Sequence, residues 1–354
     1  MKSTRSLRYM AVYDKLKEQI TSGVYPMGSK LPSKRTFADM FGVSIMTVVH
    51  ALEMLADEGF IVTRERSGYY VIYQGENSRH ATYQAPKIDS YEGRLIAMES
   101  GFPISVYAKS ARHVLSEQGD RVLLPSDDNG LLCLREAIAD YLARARDIRV
   151  EPSQIFVGSG ARSLYYFTVL LCGRDKRYAI EDPSYDRIES TYRALGIEPI
   201  KASLGKNGID GGVLSVLDAD LLHVTPYYSY PSGISTSAAK RREYTEWAQV
   251  GDRMLIEDDF GSELCRSGRP SSTLFSASPE RVIYINSFSK TISPAIRAGY
   301  AVVPKELVPA ALAACEIAPC NLPTLDQYLL AELISSGNLE RHINRIRRRL
   351  KSQE

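Results

Sequence analysis

The stretch RVIYINSFSKTISPAIRAGYAVV, residues 281–303, carries the strongest single signal for the fold. Its apolar, β-branched segment 282–285 predicts a buried strand. The strand runs into the sequence SFSK, which ends at Lys290, and Arg297 precedes a second apolar run. Burial next to a sheet penalises the charged form of a lysine, lowers its pKa and makes it a nucleophile. The stretch therefore predicts a lysine with a chemical role.

Strands and helices alternate from about residue 93 onward, which predicts an α/β fold with a mostly parallel sheet. Ligands of such sheets bind at the carboxyl ends of the strands. One strand end leads into the small-residue loop GSGAR at 158–162, which opens a helix. Its backbone N–H groups could bind a phosphate, or its glycines could simply form a structural turn, which is commoner. Another leads to Tyr185, a residue that could stack on a ligand ring or simply pack.

Three consecutive carboxylates, at 257–259, follow a further apolar strand. Helix capping or solvation is the ordinary explanation, and a carboxylate facing a ring nitrogen is the functional one. Lys290 would react with an aldehyde, while Ser287, Ser289 and Arg297 would bind a phosphate beside it. An aldehyde, a phosphate and a protonated ring nitrogen describe pyridoxal 5'-phosphate. Asp258 would then pair with the ring nitrogen.

The first 73 residues predict a separate domain. Helical periodicity covers three segments, with Ser33 and Ser44 as N-caps and Gly42 in the turn between the second and third. Two short β-rich runs follow, around Gly68. Three helices and a β-hairpin describe a winged helix-turn-helix. The polar segment 74–92 predicts a linker.

A winged helix would place the start of its third helix in the major groove of DNA, with the wing on phosphates. A protein-interaction module that never touches DNA is the alternative. The candidate DNA-binding residues are Lys34, Arg35, Ser44, Thr47, His50, Arg64, Arg66 and Gly68.

Composition excludes several classes of protein. No apolar run approaches the roughly 20 residues that span a bilayer, and the charged N-terminus has no apolar signal core. The five cysteines show no CxxC spacing, which indicates free thiols in the cytoplasm rather than disulfides or a metal site.

The segment SGVYPMGSKLPSKRTFADMFGVSIMTVVHALEMLADEGFIVTRERSGYYV, residues 22–71, resembles the GntR family of winged-helix regulators. The match includes the Gly-x-x-Leu-Pro-Ser segment, the Gly-Val-Ser turn and the glycine of the wing. Ile45 and Met46 are a departure, since the family usually carries a basic or polar residue there.

Residues 93–354 resemble fold-type I, class I aminotransferases, and a GntR-like head on such a body resembles the MocR subfamily of regulators. The segment DNGLLCLREAIADYLARAR, residues 128–146, and the strand ends described above carry this resemblance. It implies that Lys290 bonds covalently to pyridoxal phosphate and that Asp258 pairs with the pyridine nitrogen. It implies that the phosphate ligands are Ser287, Ser289, Arg297, Gly160, Ala161 and Arg162. It also implies that Tyr185 stacks on the cofactor ring and that Tyr230 faces the phenolic oxygen.

Two positions depart from the enzyme pattern. Phe260 stands where a tyrosine usually bonds the cofactor's phenolic oxygen, and Tyr230 stands where an asparagine does so. The family also continues with a small C-terminal domain, which carries the arginine that binds a substrate carboxylate. We expect this chain to lack that domain. We therefore expect no efficient transamination, because catalysis needs the substrate held in one orientation.

The resulting expectation is a cytoplasmic, homodimeric regulator that binds double-stranded DNA and senses a small amine or amino acid through its pyridoxal phosphate. Two alternatives stay open. One is an aminotransferase with an accessory DNA-binding head, and the other is a scaffold that only dimerises the heads.

Overall fold

The computed structural model describes residues 3–64, 67–73, 101–264 and 272–351. The chain divides into two compact units, residues 1–88 and 89–354. The predicted linker, 74–92, lies outside the described residues. Within the described residues, no single helix is long and apolar enough to cross a membrane, although one sharply bent pair of helices in the first unit has the length and composition to do so.

The first unit has the predicted order of three helices and an antiparallel hairpin within its described residues, which confirms the winged-helix prediction. Ser33 and Ser44 cap the second and third helices by accepting a hydrogen bond from the backbone N–H three residues on, at 3.2 Å in both cases. Gly42 takes the left-handed conformation, with φ 62°, in the turn between them. The elements are α1 Ser3–Thr21, α2 Lys34–Phe41, α3 Ile45–Asp57, β1 Ile61–Arg64 and β2 Gly68–Val71.

Apolar residues at helical spacing form a closed core beneath the hairpin. Leu16 from α1, Phe37 from α2 and Leu52 from α3 are all fully buried. Phe37 stacks on Phe41 with ring centroids 5.9 Å apart. This packing holds the exposed start of α3 in place beside α2.

The second unit is built on one sheet, and its mostly parallel α/β character confirms the prediction. Eight strands of the described residues follow the order β3-β10-β9-β8-β7-β4-β5-β6. Strand β10 is antiparallel to both of its neighbours, and β6 is antiparallel to β5. The strands are β3 Ile155–Gly158, β4 Tyr178–Asp182, β5 Ile200–Gly205, β6 Gly208–Ile209, β7 Leu221–Val224, β8 Met254–Asp258, β9 Val282–Ser287 and β10 Gly299–Val302.

Helices cover both faces of this sheet. Alternate residues of each strand join one of two apolar clusters, as the two-residue repeat of a strand requires. Tyr284 belongs to the cluster on one face, with Leu134 and Leu330, and Ile285 belongs to the cluster on the other, with Leu164 and Ala311. The helices are α4 Ile104–Gln118, α5 Leu132–Arg146, α6 Ala161–Cys172, α7 Asp186–Ala194, α8 Gly211–Ser215, α9 Ala238–Ala248, α10 Leu274–Ala277, α11 Val308–Ile317, α12 Thr324–Ser335 and α13 Asn338–Lys351.

Strand direction decides which residues meet. Strands β4, β7, β8 and β9 are mutually parallel, and β3 has the same direction because β10 lies antiparallel between it and β9. Their carboxyl ends therefore share one edge of the sheet, where β10 begins. We call this edge the carboxyl edge.

Candidate functional site

The glycine loop, the serines and Arg297 meet at the carboxyl edge. Gly299, the first residue of β10, pairs with Gly158 of β3 on one side and with Ser287 of β9 on the other. An ideal Cβ on Gly160 would lie 3.9 Å from the backbone carbonyl of Arg297. Residues more than a hundred positions apart are thus neighbours, as the predicted phosphate site requires.

The start of α6 is open to an anion. Gly160 is the N-cap residue, has φ +88° and provides no side-chain cap. Ser163 instead donates its hydroxyl hydrogen to the Gly160 carbonyl, at 2.8 Å. The first N–H groups of a helix carry a partial positive charge. Exposed Arg162, in the first turn of α6, adds a full one.

Lys290 lies half-buried just beyond β9. Its Nζ is 5.6 Å from the ring centroid of Tyr228 and 5.2 Å from that of Phe260. Gly261 provides the passage for this side chain, since a Cβ there would lie 2.8 Å from Nζ and 2.6 Å from Cδ. Gly261 also has φ +76°, a conformation that side-chain-bearing residues rarely adopt. Two independent constraints therefore favour glycine beside the lysine.

Asp258 is buried among neutral groups at the end of β8. The Tyr165 hydroxyl donates a short hydrogen bond to its Oδ2, and the Phe260 N–H donates to Oδ1 at 3.2 Å. Desolvation raises the pKa of Asp258 to about 6. His223 Nε2 lies 4.0 Å from Oδ2, but burial lowers the pKa of His223 to about 3, so that the ring is neutral. The carboxylate would be stabilised by a cation.

The other two carboxylates of the 257–259 run face the opposite side of the sheet. Glu257 accepts hydrogen bonds from the backbone N–H groups of Leu274 and Phe275, at 2.8 and 2.9 Å, and so caps α10. Asp259 forms a buried ion pair with Arg146 of α5, at 2.6 Å. Capping therefore accounts for Glu257, and an ion pair for Asp259.

Tyr185 and Tyr230 form an edge-to-face pair, with ring centroids 5.8 Å apart and planes at 85°. Both rings are partly exposed, at 38% and 52%. Ser287 is buried at the end of β9, and Ser289 beyond it is half-buried. The structure places the predicted cofactor residues on strand ends, on loops and in the first turn of α6, at the carboxyl edge.

Sequence reasoning missed Tyr165 and Gly261. Tyr165 is one turn into α6, and its contact with Asp258 spans 93 positions of the sequence, so no local pattern indicates it. Gly261 carried a faint signal as a glycine three residues after the carboxylate.

The predicted DNA-binding residues lie on α2, α3 and the hairpin. Lys34 and Arg64 lie over the rings of Tyr69 and Tyr70, with distances of 5.6 and 4.4 Å to the ring centroids. Arg35 is exposed in the first turn of α2, and Gly68 begins β2.

On α3, the Ser44 and Thr47 hydroxyls bond each other at 2.8 Å. The ring of His50 meets that of Tyr9 edge-on, at 4.6 Å between centroids. Arg66, the remaining predicted contact, lies outside the described residues.

Comparisons with known proteins agree with both units. Residues 8–71 match the bacterial regulatory proteins of the gntR family, and residues 93–354 match aminotransferase class I and II. The pyridoxine biosynthesis transcriptional regulator PdxR of Corynebacterium glutamicum is 31% identical over 95% of this chain and 74% of its own length. The probable rhizopine catabolism regulatory protein MocR of Rhizobium meliloti is 26% identical over 95% of this chain and 73% of its own.

Among solved structures, the α-aminoadipate aminotransferase LysN of Thermus thermophilus, complexed with N-(5'-phosphopyridoxyl)-L-leucine, superposes with a TM-score of 0.63. It is 26% identical, and the match covers 70% of this chain and 64% of LysN. The chain thus spans just under two thirds of this enzyme.

A winged-helix head on an aminotransferase-like body defines a class of HTH-type transcriptional regulators. The chain belongs to the GntR family of such regulators, in the MocR subfamily.

Replacing Asp258 by Asn should change how the stability of the cofactor-free chain depends on pH. Because the pKa of Asp258 is raised in the fold, protonation of Asp258 stabilises the folded state. This stabilisation is fully present below about pH 4. This contribution is lost as pH rises through about 6. It amounts to about 3 kcal/mol, taking 1.36 kcal/mol per pKa unit. Thermal unfolding at pH 4 and pH 7.5 should therefore show a smaller fall in the variant than in the wild type.

Asp218→Asn is the control, because the Asp218 side chain is 79% exposed. Asp218→Asn should keep the wild-type dependence of stability on pH. If Asp258→Asn keeps it as well, the burial argument is contradicted.

Proposed function

We propose that this chain is a DNA-binding transcriptional regulator whose body binds pyridoxal phosphate on Lys290 and senses a small amine or amino acid. The observation that carries the proposal is a half-buried lysine beside Gly261 at the same sheet edge as Asp258, a buried carboxyl with neutral partners. Lysine and carboxyl are the two groups that the aldehyde and ring nitrogen of this cofactor need. The similarity to LysN, crystallised with a phosphopyridoxyl compound, supports the assignment.

The residues of the carboxyl edge fit the cofactor by their chemistry. Gly261 leaves a space that a Cβ would fill, so the Lys290 amine can lie against the backbone. The open N-terminus of α6 suits a phosphate. When bound, pyridoxal phosphate supplies an aldehyde that combines reversibly with primary amines. The proposed phosphate ligands are Gly160, Ala161, Arg162, Ser287, Ser289 and Arg297.

Asp258 would hold the proton of the pyridine nitrogen. Its carboxylate is costly without a cation, since burial raises its pKa to about 6. A protonated ring nitrogen would remove that penalty, while the Tyr165 hydroxyl fixes the orientation of the carboxylate. Tyr185 would stack on the ring, and Tyr230 would face the phenolic oxygen. Phe260 has no hydrogen-bonding group for that oxygen.

Sensing would follow from competition at Lys290. Lys290, between Tyr228 and Phe260, would hold the cofactor, whose aldehyde would be the group for which an effector amine and the lysine compete. An effector can shift an equilibrium between two arrangements of the protein only by binding one of them better. The proposal further includes a cytoplasmic homodimer, in which two heads bind two half-sites of double-stranded DNA.

In the head, Lys34, Arg35, Arg64 and Arg66 would hold phosphates, together with the backbone at Gly68. The tyrosine rings under Lys34 and Arg64 restrict these side chains without neutralising them. Ser44 and Thr47 would act mainly by capping α3, because their hydroxyls bond each other. His50 would contribute from the next turn.

Lys290→Ala should abolish the visible absorption band that pyridoxal phosphate acquires on binding the full chain. The wild type should show a yellow band that borohydride removes, since reduction fixes the bond between lysine and cofactor. Absorption spectra of the two proteins, titrated with the cofactor, make the comparison.

Lys305→Ala provides the matched control, because Lys305 is an exposed lysine paired with Glu151 at 2.9 Å. A wild type without a band would remove the sensor and leave the scaffold alternative. Repeated transfer of the amino group from an amino acid to an added 2-oxo acid, over many turnovers, would favour the aminotransferase alternative.

Arg35→Ala should weaken binding to all DNA sequences alike, because an interaction with a phosphate carries no base information. The slope of log affinity against log salt should fall in magnitude by about 0.9, since the variant neutralises one phosphate fewer. Fluorescence anisotropy with two unrelated duplexes at several salt concentrations measures both effects.

The control for Arg35→Ala is Lys15→Ala, an exposed lysine of α1 that pairs with Glu18. Equal slopes for the wild type and Arg35→Ala would show that Arg35 does not bind a phosphate.

A further inference from the structure

The start of α3 presents two apolar side chains where a winged helix meets bases. Met46 is 71% exposed and Ile45 is 44% exposed, both in the first turn of the helix. The opposite side of α3 is buried in the head's core through Val48, Leu52 and Leu55. Two adjacent apolar side chains exposed at the start of α3 form a surface that a binding partner can cover favourably.

The charge of α3 excludes the commonest form of base recognition. Its sequence, IMTVVHALEMLAD, contains no lysine or arginine. Guanine is read most often by arginine or lysine, through its O6 and N7 atoms. The carboxylates of α3, Glu53 and Asp57, lie further along the helix, and Glu53 is 3.7 Å from His50 Nδ1. In the proposed interface, Lys34 and Arg35 of α2 and Arg64 of the hairpin supply positive charge.

Polar readout from the first turn is also restricted. The Ser44 and Thr47 hydroxyls bond each other, and Ser44 Oγ accepts the Thr47 N–H. Further along, the ring of His50 meets that of Tyr9 edge-on. The exposed side chains of the first turn that take no part in this hydrogen bond are those of Ile45 and Met46. In the major groove, the apolar feature of a base edge is the C5-methyl group of thymine.

Resting on the proposed DNA-binding function, we propose that Ile45 and Met46 read thymine methyl groups in the major groove, as the sequence-specific contacts of each head. Phosphate contacts from Lys34, Arg35 and Arg64 supply affinity, and the methyl contacts select sequence. The ligand class is double-stranded DNA with thymines at the positions under the start of α3.

Replacing thymine by uracil removes only the methyl group and tests this directly. The full chain, loaded with pyridoxal phosphate, first selects its preferred duplexes from a random pool. Each thymine of a selected duplex is then replaced singly by deoxyuridine, and dissociation constants are measured by anisotropy at one salt concentration. At one or two positions per half-site the wild type should lose about fourfold in affinity, the value of burying one methyl group.

The variants Ile45→Ala and Met46→Ala assign the contact. Each should bind the thymine duplex more weakly than the wild type, and should lose sensitivity to uracil at its own position. Met27→Ala is the control, an exposed methionine of the same head. Its neighbour Gly28 bonds Val71 at the end of the hairpin away from the turn, at 2.8 Å. This variant should keep the full thymine preference.

Three results would overturn the inference. The first is that the selected duplexes show no preference for thymine. The second is that replacing thymine by uracil leaves the wild-type affinity unchanged at every position. The third is that Met46→Ala loses as much affinity as the wild type when uracil replaces thymine at each position. If binding stays dependent on salt and Arg35 in these cases, the proposed regulator function stands and only the methyl readout fails. No DNA binding in any pool would remove both.

Discussion

Three consecutive carboxylates at the end of β8 and just beyond it face alternate sides of the sheet, and the candidate site depends on that separation. Glu257 and Asp259 face one side of the sheet, where backbone N–H groups of α10 and the guanidinium of Arg146 stabilise them. Asp258 faces the other side, where the Tyr165 hydroxyl and a backbone N–H are its donors. A buried carboxylate without a cation is costly, and the raised pKa of Asp258 expresses that cost. A positively charged ligand group at this strand end would remove that cost.

Sheet topology brings the remaining groups to the same edge. Because β10 is antiparallel between β3 and β9, Gly299 pairs with both Gly158 and Ser287. This pairing places the start of α6 and the Lys290 segment side by side. Gly261 then lets the lysine side chain pass against the backbone. The candidate site thus follows from strand order and from the lack of a side chain at Gly261.

The fold could be predicted from the sequence because its signals are local. Helix caps at Ser33 and Ser44 and the apolar run before Lys290 each mark an element within a few residues. The residues that complete the site could not be predicted in this way. Tyr165 reaches Asp258 across 93 positions, and the role of Gly261 depends on which side chain crosses it. Such contacts follow from packing, which a pattern in one sequence does not encode. Asp259 pairs with Arg146 and Asp258 with the Tyr165 hydroxyl, and this difference likewise depends on which side chains cover each face of the sheet.

The central claim is that buried Asp258 holds the proton of a pyridine nitrogen. The most direct measurement is nitrogen-15 NMR of the full chain loaded with pyridoxal phosphate labelled at the ring nitrogen, in the wild type and in Asp258→Asn. We expect the ring nitrogen to stay protonated into the alkaline range in the wild type and to lose its proton in the variant. The same chemical shift in both proteins at every pH would contradict the account.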